Sequence, residues 1–111
     1  MSLSERYRKL CSKLYNGTSR LDVQRHNRAM DKLNALKKEI ESLDDKSFMI
    51  ELVTDCDPRV RLSSSVECLI MNIYVDEALK ELESLHKSCD NPSIRCSAYF
   101  SARLWREGRL K

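Results

Sequence analysis

The 111-residue chain offers few side chains able to do chemistry, and their spacing is the place to begin. Histidine occurs twice, as His26 and His86, and the five cysteines are Cys11, Cys56, Cys68, Cys89 and Cys96. His86, Cys89 and Cys96 present imidazole and thiolate, ligand types that zinc favours, at spacings of three and seven. Zinc normally takes a fourth ligand and usually shows two close pairs, which this set lacks, so we assign no metal or other cofactor. Each histidine also keeps register with apolar residues, His26 with Ala29, Met30 and Leu33, and His86 with Leu82 and Leu85. That places both at the edge of a buried seam. Ser63-Ser64-Ser65 supplies hydroxyls, but no glycine-rich elbow surrounds them and no base is placed by spacing. Small residues where helices approach closely account for the run. Glu67 is the one charge between Leu62 and Val75. It reads either as an internal ion pair, with Arg61 or Arg103, or as an exposed anchor for a basic partner. No second acid, base or nucleophile is paired with it, so the chain is expected not to be an enzyme.

Composition narrows the class. Apolar residues make up 41% and charged residues 33%, as in a folded globular domain. Two glycines, two prolines and 6% aromatics are too few for an all-β fold with its many turns. No apolar run approaches the roughly 18 residues of a membrane span, and the polar stretch Met1 to Leu10 is not a secretory signal. An odd number of cysteines without a CxxC pair points to reduced thiols and a cytoplasmic setting.

Charge is segregated along the chain. Residues 1–42 carry ten Lys/Arg against five Asp/Glu, residues 43–90 five against eleven, and residues 91–111 five against one. An acidic middle between basic ends favours a protein partner over a uniform polyanion track. Asp44, Asp45, Glu51, Asp55, Glu77, Glu81 and Glu83, with Glu67, are the residues expected to meet a cationic partner and speed its association. The basic ends are Arg6, Arg8, Lys9, Lys13, Arg20, Arg25, Arg28, Lys32, Lys37 and Lys38, then Arg103, Arg106, Arg109 and Lys111. Such charges can hold nucleic acid without sequence preference. Tyr7, Tyr15 and Trp105 form no stacking ladder, however, so nucleic-acid binding is the lesser expectation.

Helices must position these groups. Leu3, Tyr7, Leu10, Cys11 and Leu14 share one helical face from Leu3 to Tyr15, which Asn16-Gly17 ends. Ser19 and Asp22 resemble a capping box for a long helix carrying Ala29, Met30, Leu33, Leu36, Ile40 and Leu43 on one side. Its other side, with Arg25, Arg28, Lys32, Asn34, Lys38 and Glu41, is expected to be solvated. Phe48, Met49, Leu52 and Val53 make a short apolar helix. Asp57 caps the next, with Pro58 at its first position, and residues 58–73 are apolar nearly all round, as in a helix wrapped by neighbours. Asp76 is expected to cap a further helix carrying Leu79, Leu82 and Leu85, and Asn91-Pro92 starts the last, through Ile94, Ala98, Ala102 and Trp105 to Gly108.

The second half repeats itself. Asp57-Pro58-Arg59-Val60-Arg61-Leu62-Ser63-Ser64 aligns with Asn91-Pro92-Ser93-Ile94-Arg95-Cys96-Ser97-Ala98 at an offset of 34 residues. Each copy has a cap, a proline, an apolar residue, an arginine and a small residue, and follows a short amphipathic helix. A period of this size means stacked helix pairs. In this architecture Asp57 and Asn91 cap helices, while Arg61 and Arg95 bond loop carbonyls or neighbouring carboxylates. The Asp/Asn-Pro-x-Val/Ile-Arg pattern resembles the HEAT-like repeat, and the layout is similar to a small uncharacterised bacterial family with a HEAT-like fold. The resemblance implies an all-α, HEAT-like superhelix of five to six helices in a single domain, 1–111. A two-helix N-terminal cap would occupy 1–43 and two HEAT-like pairs 47–107. Some members of such families are encoded beside toxin genes. The resemblance therefore implies an immunity-type inhibitor of a toxin domain, nuclease-like in one version. A general adaptor or oligomerising module is the alternative.

Overall fold

The computed structural model describes residues 2–110, and within them the secondary structure is entirely helical. The six helices are α1 (Leu3–Cys11), α2 (Arg20–Glu41), α3 (Met49–Val53), α4 (Pro58–Met71), α5 (Val75–Ser88) and α6 (Pro92–Arg106). They fall into two compact units, Met1–Phe48 and Met49–Lys111.

In the first unit α1 packs on α2. Ser2 caps α1 by accepting from the Glu5 N–H at 3.1 Å. The helix is shorter than the apolar spacing predicts, ending at Cys11 rather than Tyr15. Ser12 Oγ donates to the Lys9 carbonyl, and the Lys13 and Leu14 N–H groups reach back only three residues, so the chain tightens into turns. Tyr15 then adopts a left-handed backbone, with φ 55°, and donates its N–H to His26 Nδ1 at 3.2 Å. Their rings meet edge-on at 4.8 Å. The capping box at the start of α2 forms as the sequence predicts, with Ser19 Oγ accepting from the Asp22 N–H and Asp22 Oδ2 accepting from the Ser19 N–H. Buried residues are Tyr7, Cys11 and Leu14, and along α2 the row Ala29, Leu33, Leu36 and Ile40.

Gly17 is needed at its position. Its φ of 155° is rare for residues with a Cβ, and a Cβ there would lie 2.9 Å from Cγ of Asp22, the acid of the capping box. Gly17→Ala is therefore expected to lower the unfolding free energy by about 1–3 kcal/mol, read by urea unfolding. An unchanged midpoint would show that the turn moves aside without disturbing the cap.

In the second unit α4 lies against α3, α5 and α6, and α5 also packs on α6. This explains why α4 buries residues around most of its circumference, from Val60 and Leu62 to Cys68 and Leu69. The two repeat copies have matching caps. Asp57 has φ −84° and ψ 119° and accepts from the Arg59 N–H at 2.9 Å; Asn91 has φ −81° and ψ 116° and accepts from the Ser93 N–H at 2.9 Å. Both prolines stand in the first turn, where a missing N–H costs nothing. Val60 and Ile94 are buried, as are Ser64 and Ala98. Asn72, left-handed at φ 58°, closes α4, and the Ile73 N–H returns to the Cys68 carbonyl at 2.9 Å. The start of α5 differs from expectation. Asp76 does not cap it; Tyr74 holds that position with a left-handed backbone and no side-chain cap bond. Asp76 and Glu77 instead sit in the first turn, where their charges face the positive end of the helix dipole.

One cap carries a pH dependence. Arg59 donates to both oxygens of Asp57 and holds its carboxyl below the usual carboxylate range, against the opposing effect of partial burial. Folding therefore favours the ionised acid. This contribution is fully present above the unfolded value of about 4 and is lost as pH falls through the folded value. Asp57→Asn keeps the cap, as Asn91 shows, and removes the charge. It is expected to lower the midpoint slightly at pH 7 and to match the parent at about pH 2, measured by urea unfolding across that range. A constant difference at all pH values would contradict this.

Candidate functional site

The eight acidic residues predicted to meet a partner do not form one set. Asp44 and Asp45 are exposed after α2 in the first unit, and the other six belong to the second. Asp45 accepts from the Ser47 N–H at 3.0 Å, which lowers its pKa. Glu51 is exposed on α3, and half-buried Asp55 accepts from the Asp57 N–H at 3.0 Å.

The exposed-anchor reading of Glu67 needs correction. Glu67 is not on the surface; it is only 1% exposed. It follows Val60 by seven residues and Ser64 by three, both buried, so the helical register carries it into the interior. Arg61 pairs with Glu81 and Arg103 with Glu107. Glu81 is half-buried. Its Oε2 accepts from Arg61 Nε at 3.1 Å and Nη2 at 2.8 Å, joining α5 to α4. Arg95, the repeat counterpart of Arg61, donates instead to the Cys89 carbonyl at 3.2 Å. Both arginines thus do the structural work their motif predicts, one through a carboxylate and one through a loop carbonyl.

Reactive groups are correspondingly quiet. None of the five cysteines forms a disulfide among the described residues. Burial and the nearby Glu67 and Glu77 push the Cys68 thiol up to about 12, so it carries almost no thiolate at neutral pH. Ser64 Oγ is buried and donates to the Val60 carbonyl at 2.6 Å, an intrahelical bond. Among the described residues, no three His, Cys, Asp or Glu side chains converge on a point that could hold a metal ion.

The exposed chemistry of the second unit lies elsewhere, on α5 and α6. The buried row of α6 is Ile94, Ala98 and Ala102, so the seam is filled by small residues. Tyr99 and Phe100, one and two positions beyond Ala98, lie outside that buried row and are 44% and 54% exposed. The rings of Tyr99 and Phe100 meet edge-on at 5.3 Å, and His86 of α5 lies 4.9 Å from Tyr99. His86 thus stands at the edge of the α5/α6 seam, as its register suggests, exposed and against an aromatic ring. A cleft of about 220 Å³ opens beside them, lined by Glu83, His86, Lys87, Tyr99 and Arg106 over a floor that includes Leu82 and Ala98. Lys87 donates to Glu83 at 2.7 Å and, with Arg106 and His86 near, holds that carboxyl below its usual range. Sequence reasoning passed over this aromatic pair. The signal was available: Ala98 and Ala102 account for the seam and leave the adjacent rings without a place in it.

Fold and site together define an all-helical chain whose most distinctive exposed feature in the second unit is an aromatic ridge beside a charged cleft. No family model, curated protein or solved structure matches the chain. None of the helices described is long and apolar enough to cross a membrane.

Proposed function

We propose that the chain is a non-catalytic protein-binding module built on HEAT-like helix pairs, and that its partner docks on the α5/α6 face. The observation carrying this reading is the exposed Tyr99–Phe100 pair. Aromatic side chains are enriched in the buried centres of interfaces, where a few residues supply most of the binding energy. Here they stand on a regular helix, so little backbone ordering is lost on association. Glu83, Lys87 and Arg106 at the cleft supply a charged rim. The matched caps and buried rows 34 residues apart support the HEAT-like layout.

The particular form we propose is an immunity-type inhibitor that binds and blocks a cognate bacterial toxin domain in the cytoplasm. The resemblance of the repeat to families encoded beside toxin genes supports it, as do the exposed carboxylates Glu51, Glu77 and Glu83, which complement a cationic domain. Capture of partners from host lysate at moderate salt, read by mass spectrometry, tests the proposal. One stoichiometric toxin-like polypeptide is expected, retained by the parent chain and lost with Tyr99→Ala/Phe100→Ala. A housekeeping protein, or a second copy of the chain, would replace the inhibitor with an adaptor or an oligomerising module.

A further inference from the structure

The first unit carries a different surface. Two adjoining clefts of about 470 Å³ and 420 Å³ run along the seam between α1 and α2 and share Lys32. Cations line them from both helices: Arg6, Lys9 and Lys13 on α1 and the turn after it, and Arg25, Arg28 and Lys32 on α2. Arg25, Arg28 and Lys32 have spacings of three and four, which brings them to one side of α2, and Arg6 and Lys9 are three apart on α1, with Lys13 following in the turn. The two carboxylates in the lining are already engaged. Asp22 closes the capping box with Ser19, and Glu39 pairs with Arg6 at 3.6 Å. The other five cations belong to no ion pair among the described residues and stand exposed.

We propose that this α1/α2 groove binds the phosphodiester backbone of nucleic acid, without sequence preference. Six cations line the groove against two carboxylates, Asp22 and Glu39, so the excess positive charge is self-repelling and a polyanion relieves that repulsion. Guanidinium forks suit phosphate oxygens, and the lysines add point charges. The concave form of the seam fits a strand laid along it better than a flat bilayer surface. From Arg25 to Glu39 the groove runs for about 21 Å at 1.5 Å per residue, room for about six phosphates of one duplex strand at 3.4 Å each. No aromatic side chain lines either cleft, so bases have nothing to stack on and contact is confined to the backbone. This groove is independent of the aromatic face on α5 and α6.

The test is fluorescence anisotropy of the whole chain with a labelled mixed-sequence 20-base-pair duplex and the matching single strand, titrated with salt. With about four phosphates neutralised, log K should fall with log salt at a slope near −4 for duplex and near −3 for single strand. Arg25→Ala/Arg28→Ala should weaken binding at least tenfold at low salt and reduce the duplex slope by about two. Lys9→Ala/Lys13→Ala, on the opposite wall, should do the same, so the outcome does not depend on one variant folding. Arg20→Ala/Lys38→Ala removes the same charge outside the groove and should change affinity less than twofold. Equal losses in all three pairs would overturn the proposal, since general charge would then explain the binding. Tighter binding to phosphatidylserine vesicles than to either oligonucleotide, with the same losses, would also overturn it and assign the groove to anionic lipid.

Discussion

Replacing Tyr99 and Phe100 together by alanine should weaken the partner complex by about 30-fold or more while leaving the chain as stable as before. The rings are 44% and 54% exposed and lie outside the buried row of α6, so truncation opens no cavity in the core. A surface change of this kind moves stability by about 0.5 kcal/mol or less. In a complex the same rings would be desolvated against the partner, and hot-spot aromatics cost about 2 kcal/mol or more when truncated, a factor near 30. Isothermal titration with the captured partner reads the first effect and urea unfolding the second. Parent-like affinity in the variant would remove the aromatic face from the binding site. A large loss of stability would show instead that the rings pack within the fold.

Leu82→Ala should have the opposite signature. Leu82 is fully buried on α5, the helix that packs on both α4 and α6. Truncation leaves a cavity that these neighbours cannot close together, so the unfolding free energy should fall by about 3 kcal/mol. For a chain of this size that is a drop in Tm of about 15 °C, measured by calorimetry. Leu21→Ala is the control: Leu21 is also helical but 63% exposed, and its loss should move Tm by no more than about 2 °C. Similar shifts for the two leucines would mean that α5 relaxes into the cavity.

Several features were legible before any coordinates. Ser19 with Asp22, Asp57 with Pro58, and Asn91 with Pro92 each announced a helix start, and each is one. These signals are readable because a cap involves residues within three positions of one another. The wrapping of α4 was also visible, since an apolar circumference has to be covered from several sides. Two local expectations failed for reasons that are equally local. Ser12 drew α1 into tight turns four residues early, and Tyr74 took the left-handed backbone that put the start of α5 ahead of Asp76.

The candidate sites were less readable. A tally of acids from residue 44 to 83 could not separate Glu67 in the interior and Glu81 against Arg61 from the exposed Glu51 and Glu77. The cations of the first helices read as an ordinary solvated face, and their meeting across a groove depends on which side of α2 receives α1. The sequence alone determined the run of helices, the caps at Ser19, Asp57 and Asn91 and the internal repeat, because those rest on hydrogen bonds and periodicities spanning a few residues. Only tertiary structure decided which polar groups are covered and which rings and cations remain outside, because solvent exposure depends on neighbours distant in the chain.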